Sequence, residues 1–337
     1  MGNICCKEAD PDFSEPVSLA HFQILRCIGR GAFGRVRIVE HRGPDRQQYA
    51  LKYINKQRCL QQRAVDNVVQ ERRILEYLIK SHPCIVNLHY AFQDDENLFM
   101  VLDLMLGGDL RFHLERSGPF PEAAVRQYAV SISLALHFLH AYAGIIHRDI
   151  KPDNCLLTGN GCLKLSDMNI AARLRQGRGG LTSVAGSLAY MAPEQQIKPT
   201  EPPLGYGFSV DWWSLGVTLY ELLYGRRPFH GRTNDDLARC ISDPAASTRL
   251  KFPNTPIVSP AAQDFIRRLL THDPRLRLGH LHGAFRLLQA HPWFSEINWQ
   301  KAIELDYSPV FVPDGRHSNF DATHELEELL LEESPLR

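Results

Sequence analysis

The stretch that decides the fold is IIHRDIKPDNCLL, residues 145–157. Within it, Asp149 and Asn154 stand five positions apart, and Lys151 lies between them. This HRDxxxxN spacing places a carboxylate that can act as a base and an amide that can bind a metal on one loop. Lys151 supplies a cation that can neutralise a phosphoryl group. A surface turn would carry this whole string only by a rare coincidence.

Further motifs follow this stretch in a fixed order. Asp167, in KLSDMNIAAR at residues 164–173, comes thirteen positions after Asn154. GSLAYMAPE then supplies residues 192–194, DWWSLG supplies Asp211 and DPRLRLG supplies Arg277. Each motif alone is weak, but their common order and spacing indicate one family.

A glycine-rich stretch, GRGAFGRV at residues 29–36, supplies Gly29, Gly31, Gly34 and Val36. Glycines let backbone amides approach a phosphate closely, because no Cβ atom intervenes. The pattern alone is weak, since a glycine-rich hairpin would show it too. A dinucleotide-binding fold would continue into a helix, whereas RVRIVEH continues as a strand. The stretch therefore favours a phosphate-binding loop between two strands.

Two charged residues stand on inward apolar faces. Lys52 shares one face of a predicted strand, QYALKYINK, with Ala50 and Ile54. Glu71 lies in the apolar stripe of a helix predicted over residues 63–81. The other members of that stripe are Ala64, Val68, Leu75 and Leu78. Because desolvating either charge alone is costly, Lys52 and Glu71 are expected to pair. Snorkelling of Lys52 to the surface is the alternative.

Composition bounds the class of protein. The chain has 337 residues, enough for two core-forming domains or one two-lobed domain. Its 38 basic residues balance 38 acidic ones, so the net charge gives no support for nucleic-acid binding. The eight cysteines show no CxxC pair and suit a reducing cytosol rather than a zinc site or a disulfide framework. No apolar run approaches the ~18 residues of a membrane span, and no secretory signal opens the chain.

Apolar periodicity divides the chain. Residues 1–20 are expected to form a loose tail, and from His21 to about Asp103 the pattern favours strands, interrupted by the one helix. From Asp109 onward the pattern is mainly helical, most clearly at 122–142 and 209–225. The second of these segments is apolar nearly all round, as a buried helix would be. The last stretch, HELEELLLEESPLR, predicts a short acidic helix that docks on the protein itself, with partner binding as the alternative.

From residue 22 to about 296, this order of motifs resembles a eukaryotic protein kinase. DWWSLG, DPRLRLG and HPWF are similar to the AGC group, and INWQKAIELDYSPVFVP is similar to the start of the AGC C-terminal tail. A more specific resemblance is to the YANK family of Ser/Thr kinases. It rests on HFQILRCIGRGAFGRV, MLGGDLRFHL, SDMNIAA, DWWSLGVTLYELLYGRRP and HELEELLLEESPL.

The resemblance implies an α+β, two-lobed protein kinase fold. After the tail at 1–20, the kinase domain would span 21–296 and an AGC-like C-terminal tail 297–337. Within the domain, the resemblance implies a β-rich N-lobe at about 21–103, a hinge at 103–109 and a helical C-lobe at 110–296.

The resemblance also implies ATP and Mg²⁺, with Mn²⁺ as an alternative cation. Asp149 would be the catalytic base, and Lys151 would stabilise the transferring phosphoryl group. Lys52, paired with Glu71, would hold the α- and β-phosphates. Asn154 and Asp167 would bind the metal. The implied nucleotide contacts are Ile28, Gly29, Gly31, Gly34, Val36, Ala50, Lys52, Asp103, Met105, Asp109 and Leu156.

Asp167-Met168-Asn169 stands where most kinases have Asp-Phe-Gly and where the YANK family usually has Asp-Phe-Asn. Asn tolerates the left-handed backbone better than other non-glycine residues, so Asn169 is expected to replace glycine there. Met168 is expected to fill the position of the aromatic ring. An active Ser/Thr kinase is preferred, since every other catalytic group is present. The alternative is a nucleotide-binding pseudokinase that acts as a membrane-tethered scaffold.

The implied substrates are serine and threonine hydroxyls of proteins. Ser187 matches a Thr that contacts the catalytic Asp and Lys in kinases. Asp109, Asp153 and Glu221 fall where basophilic AGC kinases carry acidic groups, so Arg or Lys is expected near the target residue. Solvated surface carboxylates are the alternative interpretation.

The resemblance also suggests a regulatory site. Ser183, with Thr182 beside it, matches the AGC activation-loop phosphosite. Arg148 could bind a phosphate there through charge-assisted hydrogen bonds.

The chain begins MGNICCKE. Gly2 is a candidate for myristoylation, although position six is Cys6 rather than the preferred Ser or Thr. One such chain holds a membrane only marginally, and palmitate on Cys5 and Cys6 would add a second signal. A disordered tail with two thiols is the alternative. The expectation is a cytoplasmic monomer that associates with the plasma membrane or endomembranes through these lipids.

Overall fold

The computed structural model describes residues 15–30, 34–174, 180–196, 205–280, 284–316, 318–321 and 323. Contacts along the chain divide these residues into two units. The first takes its described residues from Met1–Asp66, Asn87–Leu104 and Phe320–Arg337, and the second from Asn67–Val86 and Met105–Asn319. The first unit is mainly β and the second mainly helical, which confirms the predicted α+β class.

The first unit contains a five-stranded sheet. Its strands are β1 (Phe22–Arg30), β2 (Gly34–His41), β3 (Gln48–Asn55), β4 (Leu88–Gln93) and β5 (Asn97–Leu102). Their order is β1-β2-β3-β5-β4, and every neighbouring pair is antiparallel. A turn of 3-10 helix, Leu19–His21, precedes β1, and helix α1 (Lys56–Gln61) follows β3.

Strand β3 is buried on both of its faces. Leu51 and Tyr53 belong to an apolar core cluster, while Ala50 and Ile54 on the opposite face are buried as well. The other members of the cluster are Phe22, Val39, Phe99 and Val101, with Val17, Leu19, Ile24, Tyr49, Tyr90 and Phe92 packed against it. Residues 17 and 19 therefore pack on the sheet, within a segment for which the sequence predicts a loose tail.

The helix predicted at 63–81 is observed as α2 (Val65–Tyr77). Its predicted apolar stripe is confirmed, since the four apolar members named above are all buried. Helix α1 has no counterpart among the predicted elements. Cys59 is its only buried residue, so no apolar repeat marks it. Asn55 caps α1 by accepting a hydrogen bond from the Arg58 amide at 3.0 Å.

The second unit combines helices with two short β-ladders. Besides α2, its helices are α3 (Leu110–Ser117), α4 (Glu122–Phe138), α5 (Pro193–Gln196), α6 (Ser209–Tyr224), α7 (Asn234–Ser242), α8 (Pro260–Leu269), α9 (Ala284–Gln289) and α10 (Trp299–Ile303). The ladders pair β6 (Ile145–Ile146) with β9 (Ala172–Arg173) and β7 (Cys155–Leu157) with β8 (Leu163–Leu165). Turns of 3-10 helix lie at Pro152–Asn154, Leu188–Tyr190 and Pro292–Phe294, and a π-helical turn lies at Leu139–Ala143.

Helix α6 packs against α4 and α8, and all 16 of its residues are buried. The prediction of a buried helix from its apolar composition is therefore confirmed. Two of these residues, Asp211 and Glu221, are carboxylates. Burying a charge is costly unless it is paired, so the partners of these two side chains tie other segments to α6.

The segment after α10 packs beside α3 and α4. The Phe311 ring lies 5.0 Å from the His113 ring and 5.2 Å from the Phe120 ring. The Gln127 side chain donates to the Ser308 carbonyl at 3.0 Å. The acidic helix predicted in HELEELLLEESPLR lies outside the described residues. Within the described part of the chain, no helix is long and apolar enough to cross a bilayer.

Candidate active site

The structure brings three predicted site residues together around the loop between β6 and β7. The Lys151 ammonium lies 2.8 Å from one Asp149 carboxylate oxygen, and Ser187 Oγ donates to the other at 2.8 Å. Lys151 Nζ also donates to Ser187 Oγ at 3.0 Å. The three side chains form a closed hydrogen-bonded set, named here the Asp149 triangle.

The neighbours of Asp149 keep it ionised. Burial on its own would raise the pKa of this carboxyl. The hydrogen bond and charge of Lys151, with the Ser187 hydroxyl, instead hold the pKa below its usual value. A carboxylate of low pKa is a weak base, so its first contribution is to orient a hydroxyl by accepting its hydrogen bond.

Gly186 lets the chain bring Ser187 close to this loop. Its φ is +122°, and a Cβ at this position would lie 2.5 Å from the Arg148 carbonyl oxygen. Glycine alone satisfies both conditions without strain. The segment that carries Ser187 therefore passes directly against the loop that carries Asp149.

Asp211 on α6 fixes the backbone of the same loop. Its carboxylate accepts hydrogen bonds from the amides of His147 and Arg148, each at 2.8 Å, and lies 2.8 Å from His140 Nε2. Burial on its own would raise the pKa of Asp211, but the hydrogen bond and charge of His140 hold it below its usual value. Asp211 is thus a buried anion that positions the residues before Asp149.

Asn154 and Asp167 are the two predicted metal ligands. The Asn154 amide nitrogen donates to the Asp149 carbonyl at 2.8 Å and to the Asp149 carboxylate at 3.0 Å, which leaves the amide oxygen to bind a cation. The Ser166 amide donates to the Asn154 carbonyl at 2.9 Å and so ties the segment before Asp167 to Asn154. An amide oxygen and a carboxylate are hard oxygen ligands, so this donor set fits Mg²⁺.

The backbone of Asp167-Met168-Asn169 differs from the prediction. Among the described non-glycine residues, Asp167 has a positive φ of 63°, whereas Asn169 does not. The expectation that Asn169 replaces glycine in a left-handed conformation is therefore wrong. A short polar residue such as Asp tolerates that conformation, and once the chain turns there, Asn169 adopts an ordinary backbone. Met168 is fully buried, as the sequence predicts.

Three nucleotide-binding residues predicted in the first unit share one face of the sheet. The strand register places Val36 beside Lys52, and Ala50 lies two positions before Lys52 on β3. Cross-strand neighbours point to the same face, as do alternate residues of a strand. A Cβ at Gly34 would lie 1.7 Å from the Tyr53 carbonyl oxygen, so the close approach of β2 to β3 requires this glycine.

Three further residues predicted to contact the nucleotide fall within residues 28–31 of the sequence. Ile28 precedes Gly29 at the end of β1, and Gly29 pairs with Val36 of β2. Gly31 lies outside the described residues.

Glu71, the residue predicted to pair with Lys52, lies on α2. It is 2% exposed, and a carboxylate that is buried to this extent requires a partner.

The predicted hinge residues are held by local hydrogen bonds. In the first unit, the Asp103 carboxylate accepts from the Asn87 amide and side chain, both at 3.0 Å, and lies 2.7 Å from His89 Nε2. In the second unit, Met105 is buried, and its carbonyl accepts from the Gly108 amide at 3.1 Å.

Asp109 begins helix α3. Its carboxylate caps the helix by accepting from the Phe112 amide at 2.8 Å, and its backbone forms an isolated bridge with Leu156. Burial raises the pKa of Asp109 to about 6, and the nearby negative charge of Asp153 adds to the rise. The carboxyl predicted to contact the nucleotide or the substrate therefore also stabilises the start of a helix.

Arg148 contacts the predicted phosphosite. Its Nη1 donates to Ser183 Oγ at 2.9 Å and to the Tyr206 hydroxyl at 3.2 Å. The Tyr206 hydroxyl in turn donates to the Ser183 carbonyl at 2.6 Å. Ser183 and Thr182 are both exposed, so a modifying enzyme can reach them. Tyr206 is absent from the predicted site because no local motif marks it.

Asp153 and Glu221 both contact Arg111, which is absent from the predicted site residues. Arg111 Nη1 and Nη2 bind the two Glu221 carboxylate oxygens at 3.0 and 3.2 Å. Arg111 Nη2 also donates to the Tyr190 hydroxyl at 2.5 Å, and Nε donates to Asp153 at 3.4 Å. Tyr190 also donates to Glu221. Asp153, Tyr190 and Glu221 are named here the acidic cluster.

Comparison with known proteins assigns the family. The protein kinase domain matches residues 22–294 of the chain, a range that includes every residue of the Asp149 triangle. The chain belongs to the protein kinase family. The predicted two-lobed protein kinase fold is confirmed by this match and by the five-stranded sheet and helical elements of the two units.

Relatives of this kinase identify its branch. It is 44% identical to human serine/threonine-protein kinase 32B, over 99% of this chain and 78% of that protein. It is 42% identical to human serine/threonine-protein kinase 32C, over 96% of this chain and 64% of that protein. It is also 38% identical to cAMP-dependent protein kinase type 3 of Saccharomyces cerevisiae, over 92% of this chain and 75% of that protein. It is therefore a serine/threonine-protein kinase by family, and its resemblance to AGC-like kinases and to the YANK family is confirmed.

Proposed function

We propose that this kinase transfers the γ-phosphate of ATP to serine and threonine hydroxyls of proteins. The observation that carries the proposal is the Asp149 triangle together with its link to Asn154. Phosphoryl transfer depends on positioning and electrostatics rather than on covalent chemistry by the protein. A pre-formed set of hydrogen bonds around a base, a lysine and a metal ligand supplies both.

Each residue has a role in this proposal. Asp149 orients the substrate hydroxyl and accepts its proton, and Lys151 offsets the charge that develops on the transferred group. Lys52 would hold the α- and β-phosphates, and its pairing with Glu71 stays a prediction. Mg²⁺ bound by Asn154 and Asp167 would neutralise charge on the phosphates. The contacts proposed for the nucleotide are Ile28, Gly29, Gly31, Gly34, Val36, Ala50, Asp103, Met105, Asp109 and Leu156.

The alternative function, a pseudokinase that acts as a scaffold, is suggested by the unusual residues Met168 and Asn169. Met168 is fully buried, as expected of a residue that replaces an aromatic ring in a packed core. Asn169 has no positive φ, so the absence of glycine causes no backbone strain there. Both observations favour the active kinase over the scaffold.

Phosphate transfer from ATP and Mg²⁺ to a degenerate library of Ser/Thr peptides tests the proposal. We expect Asp149→Asn to lower the rate at least about 10²-fold, the usual contribution of a positioned general base. Asp235→Asn, an exposed carboxylate on α7, is the matched control and should keep the wild-type rate. If wild type transfers no phosphate although a thermal shift shows ATP binding, the proposal is wrong and the scaffold replaces it.

We also propose that the N-terminus attaches the kinase to membranes. Gly2, Cys5 and Cys6 lie outside the described residues, and the support is the sequence MGNICCKE alone. An unchanged distribution between membrane and cytosol after Gly2→Ala would contradict this proposal.

A further inference from the structure

The guanidinium of Arg111, a residue of the same chain, binds all three members of the acidic cluster. Each of its three nitrogens contacts the cluster: Nη1 contacts Glu221, Nη2 contacts Glu221 and Tyr190, and Nε contacts Asp153. The two parallel contacts to Glu221 are the bidentate geometry in which arginine binds a carboxylate most strongly. An arginine of a substrate protein would bind Glu221 in this same bidentate geometry.

The charge of Glu221 is already balanced by Arg111. Its side chain is only 7% exposed, and both of its oxygens bind Arg111. One of them also accepts a hydrogen bond from Tyr190. Asp153 differs, because its side chain is 45% exposed and water screens its charge. An incoming basic side chain would therefore have to displace Arg111 before it could bind Glu221.

The acidic cluster lies close to the Asp149 triangle along the chain. Asp153 follows Asp149 by four residues, and Tyr190 follows Ser187 by three. Four extended residues span at most about 14 Å, and the Tyr190 amide donates to the Ser187 carbonyl at 2.8 Å, which keeps the second segment compact. A peptide whose hydroxyl lies at Asp149 can therefore place a residue a few positions away at the cluster.

We infer that Arg111 is a specificity-determining residue: it fills the subsite in which a basic substrate residue would bind Glu221, so this kinase does not select arginine there. The inference rests on the proposed function. It replaces the part of the predicted preference for basic residues that Glu221 suggests. The substrates it predicts are Ser/Thr segments that need no Arg at the position that would face Glu221.

Binding of fluorescein-labelled peptides, followed by anisotropy, tests the inference without requiring turnover. Each peptide has a central Ser, with Arg or Ala at one of the five preceding or five following positions. Arg111→Ala should bind Arg about tenfold more tightly than wild type does at one position, the factor that one charge-assisted hydrogen-bonded pair contributes. At that position we expect wild type to bind the Arg and Ala members of the pair within about twofold. The double variant Arg111→Ala/Glu221→Gln should lose this gain.

Two further variants keep the comparison interpretable. Arg116→Ala removes the same charge from an exposed position on α3 and should behave as wild type. Arg111→Gln keeps a hydrogen-bond donor beside the buried Glu221 and should gain arginine binding even if Arg111→Ala does not fold.

The inference is overturned if wild type already favours Arg tenfold at the position where Arg111→Ala gains, or if folded Arg111→Gln gains nothing at any position. Phosphate transfer to the same peptides is measured in parallel. Its absence in wild type would contradict the proposed function, whereas the binding comparison would still decide the role of Arg111.

Discussion

Two arginine–glutamate pairs in the helical unit have the same forked geometry but different surroundings. Arg277 binds the two Glu194 oxygens at 2.6 and 3.0 Å, much as Arg111 binds those of Glu221. Arg277 also donates to three backbone carbonyls and lies 5.1 Å from the centre of the Trp213 ring. The contacts of Arg111 are to side chains. The Arg277 side chain is 0% exposed, whereas that of Arg111 is 23% exposed.

This difference separates a structural arginine from one that can control specificity. Arg277 joins Glu194 to the backbone carbonyls of three other residues, so its loss breaks contacts between these segments. Arg111 neutralises side chains next to the Asp149 triangle, so its loss mainly exposes a negative charge. An ion pair is therefore assigned to stability or to recognition by the groups around it, and its distance and bidentate geometry alone do not distinguish the two.

The largest expected effect is on the stability of Arg277→Ala. This change removes a fully buried cation that binds Glu194 and three backbone carbonyls, so we expect a loss of about 3–5 kcal/mol in the free energy of unfolding. Arg111→Ala should lose about 1–3 kcal/mol, because the Arg111 side chain is 23% exposed and water can reach the groups that it leaves. Urea denaturation with unchanged slopes measures both losses. Equal losses would remove the distinction between the two pairs.

Arg148 provides a third case, because its partner is the Ser183 hydroxyl, which would carry negative charge once it is phosphorylated. Phosphate on Ser183 would accept charge-assisted hydrogen bonds from Arg148, worth about 1.5–3 kcal/mol. Phosphatase treatment should therefore lower both the melting temperature and the transfer rate of phosphorylated wild type. Ser183→Ala should not respond to phosphatase, whereas the control Thr182→Ala should respond as wild type does. If Ser183→Ala had full activity and responded to phosphatase as wild type does, the regulatory role of Ser183 would be contradicted.

Local patterns in the sequence predict much of the fold. The alternation in β3, the apolar stripe of α2 and the composition of α6 each identify an element, because burial repeats with the period of the backbone. Helix α1 escapes prediction because it buries one residue, Cys59. Backbone conformation is also hidden, since residue types alone suggested Asn169 as the left-handed residue, whereas Asp167 has the positive φ.

The candidate site shows the same division between local and distant contacts. Asp149, Lys151 and Asn154 lie within six residues, so one motif predicts that they meet. Arg111 and Glu221 are 110 positions apart, and the sequence has no periodic feature that joins them. The expectation that Glu221 binds basic substrates follows from the resemblance to basophilic AGC kinases, and it could not include the arginine that the fold places beside Glu221.

The smallest expected effect links Arg111 to the titration of Asp109. Burial raises the pKa of Asp109 to about 6, and the positive charge of Arg111 is the weakest of the influences that oppose this rise. Because the folded carboxyl holds its proton more tightly than the unfolded one, its contribution to stability is greatest in acid and is lost as the pH rises to about 6. Removing Arg111 should move that loss to higher pH, whereas Arg277→Lys should leave it unchanged.

The measurement is the free energy of unfolding as a function of pH. Subtracting the curve of the matching Asp109→Asn variant from that of each protein isolates the titration of Asp109. A midpoint in Arg111→Ala that stays at its wild-type position would show that Arg111 does not act on Asp109. Its influence would then be confined to the acidic cluster.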